Sequence, residues 1–312
     1  MTERPCTKTE LRRAMAELLE ALIKMPQVRI KNPDYMRSVF EEVIDGNSQK
    51  LQVISDFDQT LTKDHEDGER CLTTFGIFHS TPQLPDGYCE QSEVLYHKYH
   101  PMEVHPDLSV EEKTPYMVQW YKDSEQLLVG ADVSKENLKN HIYSSKTIFR
   151  DGSRDIFDAL KKAGVPVLVF SAGVGDVVRH ALEKHHMLLD NVRIISNFLN
   201  WDSESGKLAG FQGDMIHVFN KNQRAVAAHE EYFSLLANRP NVILMGDNEG
   251  DAAMGHGVQN PKAMIKIGFL YHHAKERLEK FMDMFDIVLI DDQTMDVPKY
   301  ILNYVIGKQN FN

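Results

Sequence analysis

From residue 154 to residue 306 short apolar runs alternate with stretches of helical spacing, and no other feature constrains the fold as tightly. The pattern predicts helices over 154–163, 175–186, 221–236, 273–284 and 297–306, a short helix near 250–255, and strands over 165–170, 192–195, 242–245, 264–267 and 287–290. Strand, helix and strand in succession pair in parallel through right-handed crossovers, so the class is α/β with a Rossmann-like parallel sheet. One more strand stands apart at Leu51, Val53 and Ile54, with helices upstream over 34–44 and along Leu11, Met15, Leu18, Leu19 and Leu22. Within 201–213 the sequence turns polar, and Ser205-Gly206 reads as a hairpin turn.

A simple crossover between parallel strands takes about 30 residues. Asp56, at the end of the early strand, and Ser171, at the end of the next, are 115 residues apart. The excess must leave the sheet and return. Its helical patterning, near 88–100, 109–128 and 134–148, defines a mainly helical module over 65–148, with the core formed by 1–64 and 149–312. Rooted beside a strand terminus, such a module can close over chemistry and exclude water.

The net charge of -11 argues against a nucleic-acid polymer or an anionic membrane as partner, so an anionic ligand must meet local positive charge or a metal ion. Cys6, Cys71 and Cys89 are odd in number and lack zinc-site spacing, which fits a reducing cytoplasm. No apolar run is long enough to span a bilayer. A soluble cytoplasmic monomer is expected.

Four segments at strand ends or helix starts carry the chemistry: Asp56 with Asp58, Ser171-Ala172-Gly173, Lys221, and Gly246-Asp247-Asn248-Glu249-Gly250-Asp251. Each has a bland reading, as turn acids, a helix N-cap, a solvated lysine and a capping pair. Those readings do not explain why all four sit at strand termini on one side of a parallel sheet, where open α/β folds gather their ligands. The adjacent pairs His185-His186 and His272-His273 lack the spacing of helical metal ligands and read as surface residues.

In this order the segments resemble the haloacid dehalogenase superfamily of phosphatases. The runs Phe170-Ser171-Ala172-Gly173-Val174-Gly175-Asp176, Ile195-Ser196-Asn197-Phe198 and Lys266-Ile267-Gly268-Phe269-Leu270 resemble more closely the cytosolic 5'-nucleotidase III family, as does Met282-Asp283-Met284-Phe285-Asp286-Ile287-Val288-Leu289. That family comprises pyrimidine and 7-methylguanosine-phosphate-specific 5'-nucleotidases. The resemblance implies a haloacid-dehalogenase-type core with a helical cap inserted after the first core strand. It further implies hydrolysis of nucleoside 5'-monophosphates (7-methyl-GMP, CMP or UMP) through an aspartyl-phosphate on Asp56, with transfer to another nucleoside as a side reaction.

By the same resemblance Asp58 is the general acid and base, with a pKa raised by its acidic neighbours. Mg²⁺ would be held by Asp56, the carbonyl of Asp58 and Asp247. Ser171, Ala172 and Lys221 would bind phosphate, and Asp251 would support Lys221 or a metal-bound water. Glu103, in Met102-Glu103-Val104-His105-Pro106, and Ser124 take the places of base- and substrate-contacting residues. Phe75 and Trp120 are the candidate pair for stacking a cationic 7-methylguanine. Among the cap aromatics Phe78, Tyr116 and Tyr121 could also face the base. Asn248 departs from the serine that the family more often has after the metal-binding aspartate. Two rival readings remain at this point, a same-fold phosphatase for a non-nucleotide metabolite and a catalytically silent binder of methylated nucleotides.

Overall fold

The computed structural model describes residues 8–311 apart from 104, 106, 107, 130, 222–235 and 237. In chain order the elements begin with α1 (Lys8–Lys24), β1 (Val28–Ile30), α2 (Pro33–Lys50) and β2 (Leu51–Ser55). A small hairpin follows, β3 (His65–Glu66) and β4 (Glu69–Arg70), then α3 (Thr74–His79), α4 (Tyr88–Glu103), α5 (Val110–Gln126) and α6 (Lys135–Ser144). The chain resumes with α7 (Ser153–Lys162), β5 (Val167–Val174), α8 (Gly175–Lys184), β6 (Val192–Asn197) and the hairpin β7 (Leu199–Trp201) and β8 (Leu208–Phe211). Next come β9 (Asn241–Gly246), a 3₁₀ segment (Glu249–Gly257), β10 (Ala263–Leu270), α9 (Ala274–Met284), β11 (Ile287–Ile290), α10 (Asp296–Val305) and a last 3₁₀ turn (Lys308–Phe311).

Seven strands form one sheet in the order β1-β11-β10-β9-β2-β5-β6. All neighbours are parallel except β1, which lies antiparallel on β11. The near-continuous apolar runs of β2, β5 and β9 follow from burial on both faces. Side-chain alternation then assigns each residue to a face. Val53, Val169 and Ile243 join Met15, Phe40, Leu160 and Ile301 on one side. Ile54, Leu168 and Leu244 meet Phe281 and Phe285 on the other.

Strand order reverses around β2, and Ser55 pairs with Met245 of β9 on one side and Val169 of β5 on the other. The carboxyl ends of the three central strands are therefore side by side, as the topological switch point of such a sheet requires. Most strand and helix positions agree with the sequence pattern to within a few residues. Others do not. The three-residue edge strand β1 and the two-residue strands β3 and β4 are too short to show a period, the single-turn helix α3 is likewise below the reach of periodicity, and α2 continues to Lys50 through a kink at Asn47, where φ is +45°. The helix expected over 221–236 lies outside the described residues except at its ends.

The segment between β2 and β5 leaves and returns as an antiparallel pair. The Lys63 N–H donates to Ile148 O and the Arg150 N–H to Leu61 O, both at 2.9 Å. Its parts pack differently. Ile77 and Phe78 of α3 and Leu138 and Ile142 of α6 share a core with Val177 of α8 and Leu199 and Leu208 of the β7–β8 hairpin. Helices α4 and α5 pack on each other and overhang the strand ends.

Candidate active site

A cavity of about 620 Å³ opens between the strand ends and α4 and α5. Its floor holds Asp56, Asp58, Ser171, Ala172, Lys221, Asp247 and Asp251, and its upper wall holds Phe75, Glu103, Trp120 and Ser124. These eleven residues, singled out from sequence for phosphate, metal, base and acid–base roles, therefore border one space, of the size expected for a small-molecule site.

The floor is built from the ends of β2, β5 and β9. Asp56 follows β2 and donates its N–H to Met245 O at 2.9 Å, which fixes it beside the end of β9. The Lys221 ammonium donates to Asp56 Oδ1 and, at 2.8 Å, to Asp251 Oδ1. Asp251 also accepts through Oδ2 from the N–H groups of Asp247 (3.1 Å) and Asn248 (2.9 Å). One carboxylate thus performs both the capping role of the bland reading and the support of the lysine. Asn248 Oδ1 accepts from the Gly250 N–H at 3.1 Å and caps the following turn, a job its amide does as well as a serine hydroxyl. A side chain at Gly246 would collide with Asp251, and one at Gly250 with the Val218 carbonyl, so both glycines are required by close approach.

Carboxylate oxygens of Asp56, Asp247 and Asp251 lie within 4.8 Å of one another. Burial raises the Asp56 pKa to about 7 against the opposing pull of Lys221, and raises Asp247 well above the usual carboxylate range, with Asp251 and Asp56 adding to the effect. Lys221 is buried too, which favours its neutral form, yet Asp251 and Asp56 outweigh this and hold it firmly charged. One ammonium faces three close carboxyls. The hard-oxygen donor set and its excess of negative charge suit a small divalent cation such as Mg²⁺.

Asp58 points differently. Its Oδ1 accepts from the Thr74 N–H at 2.8 Å and its Oδ2 from the Thr74 hydroxyl at 2.5 Å. Its pKa is pushed up to about 6 by burial, with the Thr74 bonds and Lys221 holding it down. The direction agrees with the sequence reading and the cause does not, since desolvation rather than acidic neighbours raises it. Thr74 carried no mark in the sequence, being placed by the chain reversal at the start of α3. Gly173 belongs to the same contact, because a Cβ there would strike the Thr74 hydroxyl and Asp58.

Ser171 lies within β5 rather than at a helix cap, and its Oγ accepts from the Gly173 N–H at 3.0 Å. The Ala172 carbonyl accepts from Asn197 Nδ2 at 2.8 Å and from the Tyr121 hydroxyl at 3.2 Å, tying the end of β5 to α5. Helix α8 starts at Gly175, directly after β5.

On the upper wall, residues 92, 96, 100 and 103 of α4 face residues 117, 120, 121 and 124 of α5, each at helical spacing. Burial pushes the Glu103 carboxyl up to about 7 against the pull of Lys113 and Arg277. Trp120 is stacked on Tyr99 (centroids 6.0 Å apart, planes at 20°), and Phe75 meets Tyr121 edge-on at 6.1 Å. Tyr96 and His100, stacked on each other at 4.5 Å, also border the cavity and were not picked out from sequence. Phe78 is fully buried in the core and Tyr116 is 44% exposed, so neither borders the site. Of the histidine pairs only His185 departs from the surface reading, being half-buried against Phe149.

Residues 59–306 match the family described as pyrimidine 5'-nucleotidase (UMPH-1). The chain is 38% identical over 285 residues to a 7-methylguanosine phosphate-specific 5'-nucleotidase of Drosophila melanogaster, covering 91% of this chain and 89% of the relative. A mouse (Mus musculus) protein of the same description is 35% identical over 292 residues, covering 94% and 96%. Among solved structures, cytosolic 5'-nucleotidase IIIB bound to cytidine superposes with a TM-score of 0.88 at 37% identity, covering 94% of this chain and 99% of that one.

Proposed function

The chain belongs to the pyrimidine 5'-nucleotidase family and is a 5'-nucleotidase of haloacid-dehalogenase-type fold, and from that premise we propose that it hydrolyses 7-methyl-GMP and CMP through a phosphoenzyme on Asp56. The observation that carries this reading is the single cavity joining the Asp56 floor to the Glu103 wall, so that one ligand with a phosphate at one end and a base at the other reaches both.

In this reading Ser171, the Ala172 N–H and Lys221 orient the phosphate, with the start of α8 adding a favourable field. Asp56 attacks phosphorus as the bond to the 5'-oxygen breaks, and Asp58 gives that oxygen its proton. Water then attacks the acyl phosphate, Asp58 takes its proton, and Asp56 and inorganic phosphate are released. A nucleoside in place of the water gives phosphotransfer. Asp56, Asp247 and the Asp58 carbonyl would hold Mg²⁺, with Asp251 close behind them. That cation supplies charge neutralisation to the transferring group. Glu103 accepts a hydrogen bond from the exocyclic amino group of the base, Ser124 contacts the substrate, and Phe75 and Trp120 stack on the ring. The inserted helices over 65–148 act as the specificity-determining cap. The relatives named for 7-methylguanosine phosphate and the neighbour that holds cytidine support both substrates. No helix among the described residues is long and apolar enough to cross a membrane, which accords with the cytoplasmic setting proposed here.

The test is phosphate release from a panel of nucleoside and non-nucleoside monophosphates. Expected are the highest kcat/KM values for 7-methyl-GMP and CMP, and loss of turnover on Asp56→Asn or on chelation. Full turnover by Asp56→Asn would overturn the mechanism, and indifference to the base would overturn the substrate assignment.

A further inference from the structure

Arg150 is 1% exposed, and among the described residues no carboxylate lies within ion-pair distance of it. Its guanidinium instead donates to three backbone carbonyls, through Nε to Thr60 O at 2.6 Å, through Nη2 to Gln59 O and through Nη1 to Asp292 O. The group lies over the Phe269 ring, 4.0 Å from its centroid, with Tyr271 at 5.2 Å. Burial disfavours this cation, Asp247, Asp292, Asp64 and Asp291 support it only from beyond ion-pair distance, and an apolar side chain would fill the volume at less cost. Something other than packing is served.

The three carbonyls lie where that could matter. Gln59 and Thr60 directly follow Asp58, and Gln59 has a φ of +58°, a left-handed conformation that a residue with a side chain adopts only when held. The Thr60 hydroxyl donates to Asp247 Oδ1 at 3.1 Å. Arg150 itself stands on the returning strand of the inserted segment, where Phe149 pairs with Thr62. It thereby joins three things: the hinge of the helical segment, the loop after the two acids, and, through Thr60, the carboxylate at the end of β9.

We infer that Arg150 is a positioning residue for the phosphoryl-transfer floor, clamping the 59–60 loop so that Thr60 fixes the Asp247 carboxylate for a divalent cation. The inference rests on the cation site proposed above and goes beyond it. A lysine cannot replace the clamp, because one ammonium cannot reach three carbonyls set in the plane of a guanidinium.

The test is a double-mutant cycle of Arg150→Lys and Thr60→Val, read by Mg²⁺ affinity from calorimetry on the resting protein and by the split of kcat and KM. Each single change should weaken Mg²⁺ binding and lower kcat by roughly 10-fold or more, with nucleotide KM within about threefold, as loss of a ligand-orienting contact does. The double variant should be little worse than either single one, because both break the same relay. Unchanged Mg²⁺ affinity in Arg150→Lys, with only a lower melting temperature, would reduce Arg150 to a packing role and overturn the inference. Additive losses would also overturn it. Should Arg150→Lys not fold, normal Mg²⁺ affinity in Thr60→Val would suffice to reject the relay. If the wild-type protein bound Mg²⁺ but released no phosphate from any nucleotide, the proposed substrates would fall while the calorimetric cycle still judged Arg150.

Discussion

If Glu103 binds the base as proposed, recognition should depend on pH within an accessible range. Surrounding protein strips solvent from its carboxyl and pushes the pKa up to about 7, while Lys113 and Arg277 pull the other way. The anion accepts from an amino group through either oxygen and as a charge-assisted bond, whereas the neutral carboxyl keeps only its weaker carbonyl acceptor and gains an O–H donor that the amino group cannot use. For a group titrating near 7, the anionic share rises from about a tenth at pH 6 to about nine tenths at pH 8, and apparent affinity scales with the competent share. The KM for CMP should therefore fall roughly tenfold across that window. The substrate phosphate also gains charge near pH 6, so the wild-type profile alone is ambiguous. Glu103→Gln resolves it, since glutamine keeps the size and cannot titrate. The assay is phosphate release in half-unit pH steps, and the quantity of interest is the KM of the variant divided by that of the wild type. A ratio that stays flat from pH 6 to 8 would refute the argument. The same shift affects folding. With a folded-state pKa above the ordinary 4.5, this group's contribution to stability is complete below that value and fades as pH rises through about 7. Glu103→Gln should thus gain stability relative to wild type at pH 8 compared with pH 5, as melting temperatures would record.

Three further outcomes follow from the floor and the core. Gly173→Ala places a methyl group against Thr74 and Asp58, so kcat should drop at least about tenfold, a misplacement effect, and overpacking of these buried side chains should lower the melting temperature as well. Lys221→Met removes the only ammonium among the described residues bonded to Asp56 and Asp251; breaking such a buried pair should cost about 3–5 kcal/mol in urea unfolding, and wild-type stability would contradict the packing described. Phe78→Ala empties a fully buried site between α3 and the core and should cost about 3–5 kcal/mol, measured the same way.

The sheet core was legible in the sequence because burial on both faces leaves a local trace. Strands such as β9, with every residue buried, stand out as apolar runs between helical stretches. The acids at strand ends were legible for the same reason, since a polar residue directly after such a run marks the edge of the sheet where Asp56 and Asp247 sit. What had no local trace was every contact made across long sequence separations. Thr74 looks like any residue near a helix start, yet it holds the acid Asp58 with two hydrogen bonds and also accepts from the Val174 N–H at 3.3 Å. Arg150 looks like one charge among many, yet it is buried on carbonyls 90 and 91 positions upstream and 142 downstream. Tyr96 and His100 form a wall only because α5 happens to lie opposite. Thr74 and Arg150 share a location, the seam where the inserted helices leave and rejoin the sheet, whereas Tyr96 and His100 stand out on α4. In the proposed mechanism, a helical segment inserted between Asp56 and Ser171 has to keep both its ends still while its far side admits the nucleotide. Thr74 and Arg150 stand at those two ends, each bonded to the stretch from Asp58 to Thr60. On that proposal, α4 and α5 would be free to open the cavity without moving the floor, the division of labour that in-line phosphoryl transfer would demand.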